Sequence, residues 1–321
     1  MKKQTLYVTA AALAFSAMMS SSAMAQRMYV NTNQNNIART IAETNVGINS
    51  TLATTGGKVN VTTAAIGNSV SVNVERVATV SNSQVNTNVV SSTLNLGTAT
   101  NPVGNVKDVS ATAAAIGNSA SVTIKNLSNV NSDINNYQFQ SGNVTSELNS
   151  NLNGVVGKVD QTSAAIGNSF SADITGPVGA INNTQRYWGN VVAETNTRIN
   201  NVSGNVTNTT AAICNSGTVT GRSAANLYIN NNQACNIDPT ATTNAVISNV
   251  GGAVNLTTAA ISNSFSVTTL PTTTLTLNNR QINAAQNIAT DNLSLSNIAG
   301  DIAVTTAAIG NSLNVTGVTV Q

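Results

Sequence analysis

One octapeptide recurs six times at near-constant spacing, and this periodicity restricts what the chain can fold into more than any other feature of its 321 residues. The copies read TTAAIGNS (Thr62 to Ser69), TAAAIGNS (Thr112 to Ser119), TSAAIGNS (Thr162 to Ser169), TTAAICNS (Thr209 to Ser216), TTAAISNS (Thr257 to Ser264) and TTAAIGNS (Thr305 to Ser312). Each copy carries its isoleucine at the same place, at Ile66, Ile116, Ile166, Ile213, Ile261 and Ile309. From one copy to the next the step is 50, 50, 47, 48 and 48. A unit of that size cannot bury its own apolar face and does so against its neighbours, which is the logic of repeat architectures. The expectation is a built object made of six units, with no single active site.

Residues 1–25 stand apart from the repeats. Lys2 and Lys3 precede an apolar stretch from Leu6 to Met19, and Ala23-Met24-Ala25 forms an A-x-A cleavage site before Gln26. This is the pattern of an export signal, which makes residues 26–321 the mature domain and places it in a secreted, extracellular or cell-surface setting. No cysteine follows the cleavage site, so no lipid anchor is expected, and no later apolar run reaches the roughly 20 residues of a spanning helix. Removing the leader takes two lysines and no acids, so 13 basic against 11 acidic residues become 11 against 11. A neutral chain suggests neither nucleic acid nor an anionic membrane surface as partner.

The local pattern predicts strands. The chain holds 52 asparagines and is rich in Thr, Ser, Val and Ala, with 7% charged and 3% aromatic residues. Segments of this kind pair as β-strands and stack side-chain amides into ladders. Extended, the first copy places Ala64, Ile66, Val70 and Val72 on one face and Ala65, Gly67, Ser69 and Ser71 on the other. A helix would mix these sets. Asn68, Asn118, Asn168, Asn215, Asn263 and Asn311 hold one position in all six copies. Two roles fit: a turn that uses asparagine's tolerance of left-handed backbone, or an inward amide ladder.

A second, weaker element surrounds Gln34, Gln84, Gln138, Gln185, Gln233 and Gln281, each preceding the next motif isoleucine at one of two fixed distances. Its glutamines are candidates for a second ladder. A glycine falls nine residues before the isoleucine in five units, at Gly57, Gly157, Gly204, Gly252 and Gly300. The second unit has Gly104 twelve residues before Ile116, which predicts a three-residue bulge or loop insertion. The fold class expected is all-β, a β-solenoid or stack of β-arches. With two coils per unit, twelve coils at about 4.8 Å would make a rod of about 55–60 Å. Burying each motif isoleucine would contribute roughly 1.5–3 kcal/mol, so Ile166→Lys is expected to split the stack.

The A-I-G-N-S motif with its N-x-Q elements resembles secreted curlin-like repeat proteins, and most of all the holdfast attachment (anchor) proteins of stalked bacteria. That resemblance implies strand-turn-strand units with Asn and Gln ladders, a role in attachment or biofilm structure, and partners such as related fibre subunits and an outer-membrane export or anchoring protein. The unit is about twice a curlin repeat in length, and the regular Gln/Asn spacing of that family is only partly present. A-I-G-x-x-S is also similar to the head repeat of trimeric autotransporter adhesins, but the chain ends without heptads or aromatic-rich anchor strands.

Catalytic chemistry has little to build on. The chain has no histidine, its eleven acids are dispersed, and no P-loop, G-x-S-x-G or G-x-G-x-x-G is present. No enzyme activity, cofactor or metal site is expected. Cys214 and Cys235, 21 residues apart in an exported chain, are expected to form a disulfide that pins adjacent coils. Arg186, Tyr187 and Trp188, with the only tryptophan, form a candidate contact for a sugar or a protein. The alternative is a loop that covers the solenoid flank. Two functions remain: a structural or adhesive surface protein that self-associates through open solenoid edges, or a monomeric rod that binds polysaccharide.

Overall fold

The fold is that of a computed structural model, which describes residues 27–48, 57–128, 130–222, 226–270 and 273–317. The leader at 1–25 lies outside these residues. Among the described residues every regular element is a β-strand, and the strands stack as three parallel sheets. Two sheets hold six strands each, and the third holds six along its path with a seventh short strand beside it.

Each repeat unit is one coil of three strands, not two coils. In the fourth unit these are Val178–Tyr187, Val191–Val202 and the long Val206–Gly221. Each pairs in parallel with its counterpart one repeat away, so Gln185 lies on Gln138 and Gln233, and Ile213 on Ile166 and Ile261. The expected twelve coils are therefore replaced by six. At about 4.8 Å per strand spacing, five steps give a stack about 24 Å high. The unit is long because its strands are long: a coil this wide takes the whole repeat period to close once.

The long third strand faces the other two in succession. Its first half packs Val159, Val206 and Val254 against Leu148, Leu152, Ile199 and Ile247 of the second strands. Its second half packs Phe170, Ala172, Ile174 and Phe265 against Ile134, Ile181 and Ile229 of the first strands. The junction between the halves is lined by Ala65, Ala115, Ala165, Ala212 and Ala260 with Tyr187, Cys214 and Cys235.

That junction corrects the expected facing of the motif. Ala65, not Ala64 or Ile66, is buried, and Ile66 is 42% exposed. The motif isoleucines form an outward column of partly exposed side chains, stacked in register from Ile66 to Ile309. Strict alternation fails because the motif glycine and asparagine both point inward: Gly167 and Asn168 are consecutive buried residues. This one-residue slip reverses the parity, so Val70 and Val72 face the core as expected while Ile66 does not. The slip recurs in every unit, since the Cα ladder passes from isoleucine to asparagine without pairing the residue between them.

The irregularity of the second unit also falls elsewhere than expected. Residues 97–102 form a loop opposite a single residue, Asn151, and split the second strand into Val90–Leu96 and Val103–Val106. Gly104 pairs with Asn153 inside the strand.

Candidate functional site

The features that could join this protein to another molecule are its internal ladders, the two ends where they stop, and one aromatic flank. Each motif asparagine turns inward, which settles its role in favour of the ladder. From Asn68 through Asn118, Asn168, Asn215 and Asn263 to Asn311, each Nδ2 donates to the next Oδ1 at 2.8 Å. The same Nδ2 donates to a backbone carbonyl across the core, that of Val85, Phe139, Arg186, Ala234 or Ile282, at 2.8–2.9 Å. The second bond fixes the amide orientation, because a carbonyl can face only the NH2 group. Left-handed asparagines do occur, but at Asn105, Asn201, Asn249 and Asn297 near the ends of second strands.

The glutamines form a ladder of opposite polarity. Gln84, Gln138, Gln185, Gln233 and Gln281 each donate to the glutamine of the preceding coil at 2.7–2.8 Å. Each Nε2, including that of Gln34, also reaches the carbonyl of a motif serine, from Ser69 to Ser312. A third inward ladder runs from Thr32 Oγ1 through Asn82, Asn136, Asn183 and Asn231 to Asn279, with each donor bonding forward at 2.7 Å. A fourth, on the outside, links Asn292 back through Asn244, Asn196, Asn149 and Asn95 to Asn45 at 2.7–2.9 Å. The last two were missed from sequence. The signal was present, because asparagines recur at the unit period at these positions too, but no invariant octapeptide marks them.

The residue between isoleucine and asparagine is chosen by what stands across the core. A Cβ at Gly67 would lie 2.1 Å from Asn86, at Gly117 2.5 Å from Gln140, and at Gly167 2.2 Å from the Tyr187 ring. Where the opposite residue is Cys235 the motif carries Cys214, and Ser262 there donates to Asn283 at 2.8 Å. The Cys214–Cys235 disulfide, S–S 2.12 Å, thus joins opposite walls across the interior, from the third strand of one coil to the first strand of the next. It does not join two stacked neighbours of one ladder. The cysteines stand 21 positions apart, less than half of a coil.

Arg186, Tyr187 and Trp188 do not act as one surface. Tyr187 is fully buried opposite Gly167, and its hydroxyl donates to the Asn190 carbonyl at 2.8 Å. It therefore belongs to the core and leaves the candidate contact, since alternation along the strand turns it inward between two outward neighbours. Burial also pushes its hydroxyl well above the usual tyrosine value. Arg186 and Trp188 are exposed, and Trp188 meets Phe139 edge to face with ring centroids 5.6 Å apart. Tyr137 lies two residues from Phe139 on the same outer face. Beside it is a shallow groove of about 280 Å³ lined by Asn31, Ser81, Ser83, Asn135 and Asn182.

Some charged groups pair between coils, among them Arg222 with Asp173 at 2.6 Å and Arg27 with Asp133 at 2.9 Å. Asp173 raises the Arg222 value by its hydrogen bond and charge. Asp108 is lowered, first by the Lys158 backbone N–H it accepts at 3.1 Å. Among the described residues no cluster of three or more potential ligands could hold a metal ion. No helix among them is long and apolar enough to cross a membrane, which says nothing of strands.

Three parallel sheets coiled around amide ladders define an all-β solenoid. The family model for Holdfast attachment protein D, HfaD, matches residues 103–319, two thirds of the chain, so this protein belongs to the holdfast attachment protein D family. It is thereby an adhesion-related protein of the cell surface or its exterior. Neither a curated protein nor a solved structure matches the chain.

Proposed function

We propose that the protein is an exported structural element of surface attachment that works by joining through the ends of its solenoid to other β-structured subunits. The observation that carries this reading is the open state of the last described coil. Its inward residues Ile302, Val304, Leu313 and Val315 are exposed, whereas their counterparts Val254, Leu256, Phe265 and Val267 one coil back are buried. An apolar, strand-edged surface of this kind is a template for further strands. The family supports attachment as the purpose, and the leader supports export. An outer-membrane export or anchoring protein is the partner expected at the cell. The test is antibody labelling of intact cells together with electron microscopy of purified residues 26–321. Surface label and end-joined rods are expected; label found only after permeabilisation would refute the reading.

A second reading, polysaccharide binding on the flank, is favoured by one observation. Tyr137, Phe139 and Trp188 share an outer face with a groove rich in amides and hydroxyls. Aromatic faces stack on sugar rings while amides bond their hydroxyls. Affinity electrophoresis in the cells' own exopolysaccharide checks it: retardation lost in Trp188→Ala is expected, and equal mobility of the two proteins would rule the flank out.

A further inference from the structure

We infer that the partner of each end is a second copy of this chain, joined head to tail in a single register, with the sixth coil of one copy seated under the first coil of the next. The inference rests on the end-joining reading above and names the partner, polarity and register that reading leaves open.

The ladders leave opposite groups at the two ends. At the last coil, Asn279 Nδ2 has no acceptor among the described residues, and Asn311 Nδ2 reaches only the Gln281 carbonyl, at 3.3 Å. Gln281 Oε1 there receives no donor among them. At the first coil the complement is open: Asn68 Oδ1 and Thr32 Oγ1 can accept, and Gln34 Nε2 has one proton left after its bond to the Ser69 carbonyl. Stacking by simple translation gives Asn311 to Asn68, Asn279 to Thr32 and Gln34 to Gln281, each with the donor and acceptor sense found inside the molecule. Two ends of the same kind cannot do this. A two-fold axis would run the strands antiparallel and take every amide off its column.

Apolar positions follow the same register. Extending the observed pairings by one coil puts Leu275 on Met28, Leu277 on Val30, Leu293 on Val46, Ile302 on Val59, Val304 on Val61, Leu313 on Val70 and Val315 on Val72. One charged side chain, Asp291, is turned into this set, and its carboxylate accepts from the Thr258 and Thr306 hydroxyls. The register places it on Thr44, a further hydroxyl that can donate to it. The cross-core rule also holds at the junction. Gly310 would face Asn36 of the next copy, as Gly67 faces Asn86 within one copy. The first and last octapeptides are identical, TTAAIGNS in both. A heterologous contact of this kind, repeated by translation, does not close, so the product is a polar filament that grows until an end is blocked.

The test uses two chains, each blocked at one end by a lysine at an inward position of a terminal coil. Val315→Lys blocks the tail, Thr32→Lys blocks the head, and Val61→Lys serves as a second head block if Thr32→Lys lowers the melting temperature of the monomer. Wild type is expected to form linear multimers, either blocked chain alone to stay monomeric, and their equimolar mixture to give dimers and nothing larger. Under oxidation, Asn73→Cys on the tail-blocked chain should bond to Thr316→Cys on the head-blocked chain, because residues 73 and 316 occupy one outward column. A dimer formed by either blocked chain alone would overturn the polarity. A mixture that stays monomeric while wild type assembles would overturn end-joining between copies. A dimer without the cross-link would overturn the register. Wild type that remains monomeric at every concentration would remove the second copy as partner, while surface labelling of cells would still judge the broader reading.

Discussion

The third and sixth coils carry nearly the same motif, TSAAIGNS and TTAAIGNS, and their fates differ. Leu256, in the fifth coil between them, is 1% exposed, while Val304, at the same register one coil on, is 43% exposed. Asn168 bonds to an asparagine on each side, whereas Asn311 bonds to one. The residues are equivalent and only the neighbours differ. Stability in this molecule therefore belongs to the interface between coils and not to the coil, as expected of a one-dimensional repeat. What the middle coils obtain from a coil on each side, the last described coil obtains on one side alone.

The sharpest way to break this comparison is one substitution made in both places. Gly167→Val drives a side chain into the Tyr187 ring and the Cys214 carbonyl, which a Cβ alone would approach to 2.2 and 2.5 Å. It should cost about 3 kcal/mol or more, as severe overpacking does. Gly310→Val meets only the flexible Asn283 amide, at 2.9 Å, and should cost about 1 kcal/mol or less. Denaturant melts of the monomer read both; equal losses would mean that the two coils are held in the same way.

A smaller difference is expected for the ladder. Asn168→Ala removes bonds to Asn118, Asn215 and the Arg186 carbonyl and leaves buried groups unpaired, at a cost of about 2–3 kcal/mol. Asn311→Ala loses one part-buried bond from Asn263 and one long exposed bond to the Gln281 carbonyl, and should cost about 0.5–1 kcal/mol in the monomer. The same denaturant melts measure the pair, and an Asn311→Ala loss as large as that of Asn168→Ala would contradict the open end.

Alkaline titration probes the middle alone. Because burial raises the Tyr187 hydroxyl above 10.0, the folded state favours the protonated form. The stability this gives is complete below the unfolded value, about pH 10, and is lost as pH rises through the folded value. The melting temperature should fall above about pH 10, and Tyr187→Phe should flatten that fall; an unchanged slope would show that the ring is not buried.

The smallest effect expected is that of Ile166→Lys. Ile166 lies on the outer column beside Ile116 and Ile213, so a lysine there keeps its charge in water and should cost about 1 kcal/mol or less. Phe170→Ala, inward on the same strand, should cost about 3–5 kcal/mol. A reversal of that order would restore the facing expected from strict alternation.

Much of this architecture was legible in the chain, for stated reasons. The period, the all-β character and the columns of asparagine and glutamine follow from identical residues at identical offsets, while the choice between turn and ladder for the motif asparagines was left open by the sequence. The facing of Ile66 was not legible. Alternation is a sound rule only while each residue advances the pleat by one step, and two inward residues in succession at Gly67 and Asn68 break it. The number of coils per unit was hidden as well, because the Gln and Ile-Gly-Asn elements look like two strands of two coils. They are in fact opposite walls of one coil, as the Gln185 bond to the Ser216 carbonyl shows. The split of Tyr187 from Arg186 and Trp188 needed the strand boundaries, which place the tyrosine opposite the small Gly167.

The central claim is that each repeat unit makes one coil, and the distance between the first and last motif columns tests it most directly. Spin labels on Ile66→Cys and Ile309→Cys, both outward and partly exposed, report that distance by pulsed electron resonance in the blocked monomer with its disulfide intact. One coil per unit predicts five strand spacings, about 24 Å between the labelled backbones. A distance of about 48 Å, ten spacings, would contradict it.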